Sequence, residues 1–170
     1  MLTHAFVCSR LDYCSSLYVG LPQVRLNCLS RILRSAARLV GGISRFGHVS
    51  EFMRHDLHWL PLHQRILFRV SCIARSCVQA LGPSYLKEIF TLASATHGRA
   101  SLRSATRGDF RVPFARTAMV QQRSFSVVGP TLWNGLPTAL RSLAYDSSRS
   151  FYKCLKTYLF DQAWTGSASE

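Results

Sequence analysis

Negative charge is scarce in this sequence. Only 8 of the 170 residues are Asp or Glu, no two of them are adjacent, and Glu51 and Asp56 are the closest in sequence. Two-metal polymerase and nuclease chemistry needs clustered carboxylates that hold ions about 4 Å apart. The scatter of the acidic residues therefore argues against a two-metal active site in this chain.

Other site signatures are also missing. The sequence has no Gly-x-x-x-x-Gly-Lys loop, no Gly-x-Ser-x-Gly elbow and no His-Glu-x-x-His pair. His55, His58 and His63 are clustered, with Cys72 and Cys77 nearby, but a zinc site needs a second close pair of ligands and helical spacing scatters these side chains. We expect no metal and no cofactor.

The six cysteines include no Cys-x-x-Cys pair; they are Cys8, Cys14, Cys28, Cys72, Cys77 and Cys154. Most have apolar neighbours, which predicts reduced core residues in an intracellular protein, in the nucleus or the cytoplasm. Arg10 and Asp12 interrupt the apolar run at the N-terminus, so we expect no signal peptide. No apolar run approaches eighteen residues, and we expect no membrane span.

Positive charge is abundant. Lys and Arg number 21, giving a net charge of +13, and eighteen of the 21 are Arg. Arg binds phosphate in a bidentate manner and stacks on bases, so this bias favours a nucleic-acid partner. Two alternatives stay open: a GC-rich coding sequence that favours Arg codons, and an acidic protein partner.

Hydrophobic periodicity predicts a mainly α protein, an irregular multi-helix bundle. The predicted helices run from Pro22 to Gly41-Gly42, from a capping Ser50 to Arg54, from Pro61 to about Ala80 with an apolar stripe from Leu62 to Leu81, over Pro83–Phe90, from Ser124 to Val128, and from about Ser148 onward. Gly129–Pro137 is predicted to turn the chain. Trp59, which has Leu57 and Leu60 beside it, is assigned to packing, and so is Trp133.

Composition divides the sequence into four regions. These are a helical region 1–91, a basic and partly extended segment 92–127, a C-terminal helical region 128–163 and a frayed tail 164–170. In the basic segment, Arg alternates with Phe110 and Phe114. This composition is typical of a single-strand contact surface, and equally of a mobile basic loop.

Two groups of arginines are the candidate nucleic-acid contacts. Arg31, Arg34 and Arg38 share one face of the first long helix, with no acidic residue between Asp12 and Glu51 to balance them. A solvated helix face is the alternative interpretation. The second group lies in the basic segment: Arg99, Arg103, Arg107, Arg111 and Arg116.

Several short strings, in order along the chain, carry a family resemblance. They are residues 5–17, 20–22, 36–40, 57–61 with Arg65-Ile66, 83–86, 123–126 with 132–137, and 151–156 with Leu159-Phe160. Together they resemble the region downstream of the catalytic core in reverse transcriptases of animal non-LTR retrotransposons (jockey, CR1 and L2-like LINE elements). Ser15, where Asn is usual, and Gly129, where Ala is common, are small departures.

The resemblance implies the end of the thumb and the region after it, a helical module that grips template RNA or an RNA–DNA hybrid. The family's paired catalytic aspartates would lie N-terminal to Met1, so we expect this chain to be inactive alone, with the missing polymerase domain as an intramolecular partner. Met1 then fits a start inside a truncated element. Two other functions stay open: a structural or protein-interaction module that binds an acidic partner, and a non-functional translated relic.

Overall fold

Helices dominate the structure, a computed structural model that describes residues 3–95, 107–114, 123–143 and 148–165. The α-helices are α1 (Ser9–Asp12), α2 (Gln23–Gly41), α3 (Ser50–His55), α4 (Leu62–Val78), α5 (Ser84–Lys87), α6 (Phe125–Gly135), α7 (Thr138–Leu143) and α8 (Ser148–Thr165). A π-helical turn precedes α1 (His4–Cys8), and 3-10 turns span Ser15–Tyr18 and Ala93–Ala95. The predicted mainly α fold class is confirmed. None of the described helices is long and apolar enough to cross a membrane.

The chain divides into two compact units. The first unit comprises Met1–Phe68 and Lys156–Glu170, and the second comprises Arg69–Leu155. The predicted regions 1–91, 92–127 and 128–163 rest on composition and stay predictions. In the predicted tail, Trp164 and Thr165 still belong to α8, while residues 166–170 lie outside the described residues.

The core of the first unit forms around one face of α2. Leu33 and Ala37 of that face are buried with Met53 of α3. Trp59 is partly buried and packs against this cluster, which confirms its predicted packing role. A second cluster joins Leu26 of α2 to the first turns of α4.

The predicted C-terminal end of α2 is confirmed, and the helix begins one residue later than predicted. Pro22 occupies the position before the first helical residue, where its fixed φ suits helix entry. Gly42 ends the helix in the left-handed conformation, with φ +61°, and its N–H donates to the carbonyl of Arg38. These two residues fix the length of the helix that carries the candidate arginines.

The core of the second unit is aromatic. Trp133 is 1% exposed and stacks on Phe151, with ring centroids 6.1 Å apart, so its predicted packing role is confirmed. Phe110 contacts both Trp133 and Phe90 through tilted and edge-on rings. The side chain of Asn134 accepts from the backbone N–H of Phe110 and donates to its carbonyl, both at 2.8 Å.

The predicted turn at Gly129-Pro130 is wrong, because α6 runs through both residues. Gly129 is needed for packing: a Cβ there would lie 2.9 Å from Cζ of Phe90. Pro130 is buried inside the helix, where it removes one backbone donor, a local cost that tertiary packing overrides.

Three smaller expectations are also corrected. Ser50 is the first residue of α3, and Val49 precedes the helix in its place. Leu81 lies beyond the end of α4 and is 76% exposed, although its spacing fits the apolar stripe. Half of the cysteines are not core residues, since Cys14, Cys28 and Cys154 are exposed.

Candidate nucleic-acid interface

The predicted arginine group on α2 lies on the outer face of that helix. At about 100° per residue, its three members lie about 100 to 160° around the axis from buried Leu33. Arg31 and Arg34 are exposed, and Arg38 is partly buried. Because the opposite face is fixed in the core, these guanidinium groups have a defined direction relative to the first unit. We call this group the α2 arginine face.

Arg38 also has a structural role. Its Nε and Nη2 donate to the carbonyl oxygen of Gly47 at 3.4 and 3.3 Å. Two guanidinium nitrogens of Arg38 thus form hydrogen bonds that connect the loop after α2 to the helix. The positive charge is retained beside that loop.

Nearby carboxylates do not neutralise the α2 arginine face. Asp12 is bound by Arg65, whose Nε donates to Oδ1 and whose Nη2 donates to Oδ2 at 2.9 Å. Glu51 lies 3.3 Å from Nε2 of His55. Within the residues that the structure describes, Arg31, Arg34 and Arg38 form no ion pair with a carboxylate.

A cleft of about 250 Å³ lies beside Arg34, between α2, α3, the start of α4 and the end of α8. Its polar lining is Ser30, Arg34, Ser50 and Gln64, and Trp164 supplies an aromatic wall. Among the described residues, Nε1 of Trp164 is buried and has no hydrogen-bond partner. The guanidinium of Arg54 lies 6.0 Å from the centre of the Trp164 ring. The cleft therefore places polar side chains and an aromatic wall beside Arg34.

The second predicted arginine group is described only in part. Arg99, Arg103 and Arg116 lie outside the described residues. Arg107 is exposed, with Nε 3.8 Å from Oδ2 of Asp109. Arg111 is exposed, and its backbone N–H donates to the carbonyl of Thr91 at 2.8 Å. Both belong to the second unit, so each arginine group is considered on its own unit.

Of the two interpretations of the basic segment, the single-strand contact surface that would use both Phe110 and Phe114 is wrong for Phe110. Phe110 is 5% exposed and belongs to the aromatic core of the second unit, whereas Phe114 is 89% exposed. The alternation of Arg and Phe in the sequence did not distinguish these two environments. Phe110 also forms an isolated antiparallel bridge with Leu92, which holds it inside.

Sequence reasoning missed Arg45 and Phe46, in the loop after α2. Phe46 is 91% exposed, and the guanidinium of Arg45 lies 5.9 Å from the centre of its ring. A cleft of about 390 Å³ adjoins this loop, lined by Ser35, Arg38, Leu39, Gly42, Ile43 and Arg45. A large aromatic between Arg and Gly, outside any apolar stripe, was the available signal.

The clustered histidines make other contacts. His55 pairs with Glu51, and the ring of His58 stacks on Phe160 with centroids 6.3 Å apart. In the part of the chain that is described, no three His, Cys, Asp or Glu side chains are placed to hold a metal ion.

The inner cysteines are poor nucleophiles. Burial raises the pKa of Cys72 to about 12, although the positive charges of Arg69 and Arg75 act to lower that pKa. Burial also raises the pKa values of Cys8 and Cys77. Because the thiolate is the reactive form, these side chains are unsuited to nucleophilic catalysis at neutral pH.

No protein family, curated protein or solved structure matches this chain.

Proposed function

We propose that this chain is a nucleic-acid-binding module that contacts the phosphate backbone of RNA or an RNA–DNA hybrid. The observation that carries the proposal is the exposure of Arg31 and Arg34, about 160° and 100° around the α2 axis from buried Leu33, with no carboxylate paired to them among the described residues. A row of guanidinium groups along one helix face suits phosphate contact, because each can bind an anionic oxygen pair in a bidentate manner. The net charge of +13 adds long-range attraction to a polyanion.

A salt series tests this proposal. Binding of the full chain to a labelled RNA–DNA hybrid and to an RNA single strand is measured between about 50 and 200 mM salt, the range over which phosphate binding weakens steeply. We expect binding that depends little on sequence, with a steep negative slope of log K against log salt. Flat or absent binding by a chain that unfolds cooperatively contradicts the proposal and favours an acidic protein partner.

Substitution of the two exposed arginines locates the interface. We expect Arg31→Gln with Arg34→Gln to reduce the salt slope by about 1 for each of the two side chains that binds a phosphate. The matched control is Arg25→Gln with Lys87→Gln, which removes the same charge at exposed positions that are not part of the α2 arginine face. Equal weakening in the two double variants would mean that net charge alone, rather than this face, determines binding.

We further propose that the module derives from the C-terminal part of a non-LTR retrotransposon reverse transcriptase and does not polymerise DNA alone. The ordered strings of the sequence support the origin, and the scattered carboxylates support the lack of activity. Genomic DNA upstream of the Met1 codon tests the origin: a reading frame with paired aspartates is expected. Primer extension by the isolated chain would contradict the second part.

The relic alternative is tested by folding. A functional module is expected to unfold in cooperative thermal transitions, whereas a chain that lacks such transitions would favour the relic.

A further inference from the structure

We propose that Phe46 is a base-stacking platform, and that the loop after α2 forms, with Arg38 and Arg45, a subsite for single-stranded nucleic acid. The inference rests on the proposed function and deepens it, because it names the form of nucleic acid that the first unit selects. It depends on the exposure of one ring, the rigidity of its loop and the charges around it.

The ring of Phe46 is presented to solvent. At 91% exposure, it is more exposed than any other large hydrophobic side chain in the described residues. Exposed apolar area carries a cost in water, which a ligand that covers the ring would offset. The face of a nucleobase is such a ligand, since every base offers a flat π surface.

The loop that holds Phe46 is fixed by hydrogen bonds. The N–H of Ile43 donates to the carbonyl of Arg38, and the N–H of Gly47 donates to the carbonyl of Ser44, both at 3.0 Å. The guanidinium of Arg38 on α2 also donates hydrogen bonds to the carbonyl of Gly47. An aromatic residue on a fastened turn loses little conformational entropy when it binds.

One cationic group lies beside the ring, and a second lines the cleft next to the same loop. The guanidinium of Arg45 lies 5.9 Å from its centre, and Arg38 and Arg45 both line the adjoining cleft of about 390 Å³. That lining contains no acidic residue. From Arg31 to Arg38 the helix rises by about 10 Å, which places a row of charges leading toward the loop. The arrangement fits a strand whose phosphates follow the arginines and whose base covers Phe46.

A duplex fits this subsite less well, because its bases are already stacked on each other and only unstacked bases can cover an aromatic side chain. A lipid surface is the other ligand that an exposed ring beside cations could take. The charges favour nucleic acid, since the α2 arginine face continues away from the ring along a helix and suits a linear polyanion.

Fluorescence anisotropy of a labelled oligouridine of about 12 nucleotides and a labelled RNA duplex of about 12 base pairs, each with the full chain, tests the inference. We expect Phe46→Ala and Phe46→Leu to bind the single strand about 5- to 50-fold more weakly with an unchanged salt slope, and to bind the duplex normally. Phe46→Trp is expected to keep or increase single-strand affinity. Phe114→Ala is the matched control, because Phe114 is 89% exposed in the second unit.

The outcomes separate the inference from the proposed function. If the wild-type chain binds oligouridine and Phe46→Leu binds equally well, the stacking platform is wrong while phosphate binding stands. If the wild-type chain binds no nucleic acid, both are wrong. Equal weakening on single strand and duplex, or Phe46-dependent binding to vesicles of anionic phospholipid without binding to oligouridine, would also overturn the inference.

Discussion

The two units differ in how far they bury individual arginines. In the first unit Arg31 and Arg34 are exposed on α2, whereas in the second unit Arg75 is 1% exposed and Arg141 is 5% exposed. Arg75 lies near the rings of Phe151 and Tyr152, 5.0 and 5.1 Å from their centres. The sequence therefore overstates the charge available to a polyanion, because part of its arginine content stabilises an interior.

Each unit nevertheless contains a largely buried Asp–Arg pair. Asp12 binds Arg65 in the first unit, and Asp109 binds Arg141 in the second, with Nη1 to Oδ1 at 2.7 Å. The pairs are common to both units, so the difference lies in the remaining arginines and in the aromatic residues. Phe46 of the first unit faces solvent, while Phe110 of the second is in the core.

The largest expected effect comes from breaking the pair of the second unit. Arg141→Met leaves the Asp109 carboxylate in the interior without its main partner, and we expect a loss of about 3–5 kcal/mol in the free energy of unfolding. Urea denaturation measures this loss. Arg107→Met is the control, because Arg107 is exposed and 3.8 Å from the same carboxylate, and its loss should stay below about 1 kcal/mol. Equal losses in both variants would refute the distinction between interior and surface arginines.

A smaller loss in the free energy of unfolding is expected when the two hydrogen bonds from the side chain of Asn134 to Phe110 are removed. Asn134→Ala deletes both hydrogen bonds to the backbone of Phe110 and leaves a buried donor and acceptor unpaired. We expect a loss of about 1–3 kcal/mol. Thr131→Ala, at an exposed position of the same helix, is the control and should change the stability much less. A loss below about 0.5 kcal/mol in Asn134→Ala would mean that water replaces the two hydrogen bonds of the Asn134 side chain.

The sequence predicted the helices that have strong periodicity and clear end signals. Pro22 and Gly42 mark α2 because each acts through its own backbone preference, which needs no distant partner. It failed at Gly129-Pro130, which are buried within α6, Gly129 against Phe90, a residue far along the chain. Conformational preferences of neighbouring residues cannot predict a contact between residues so far apart in the sequence.

The candidate site shows the same limit. The α2 arginine face followed from helical spacing and the buried opposite face, both visible in the sequence. Phe46 and Phe110 have similar neighbours in sequence, Arg on one side and no strong apolar pattern. Their opposite exposures depend on tertiary packing, which encloses Phe110 with Phe90 and Trp133. Spacing of residues alone could not separate them.

The buried thiol of Cys72 in the second unit should also make the free energy of unfolding depend on pH. The pKa of Cys72 is raised by burial to about 12, while an unfolded thiol has its ordinary value of 9.0. The unfolded state therefore loses its proton first, and the associated stability, present below about pH 9, is lost as pH rises toward about 12. Between about pH 8 and 10, the wild-type chain should lose about 1 kcal/mol more than Cys72→Ala. Urea denaturation at both pH values measures this. Parallel losses would contradict the burial of the thiol, and exposed Cys154→Ala serves as the control.

The smallest effect on stability is expected at the two arginines that we propose to bind phosphate. Arg31 and Arg34 are exposed and form no ion pair among the described residues, so replacing both with Gln should change the free energy of unfolding by less than about 0.5 kcal/mol. The same double variant should weaken RNA binding, whereas Arg141→Met should weaken folding and, in conditions where it remains folded, leave the salt slope unchanged. Urea denaturation and salt series on both variants measure these stabilities and slopes. A substantial loss of stability in the double variant would mean that the α2 arginine face stabilises the first unit, and its exposure would no longer support a role in binding.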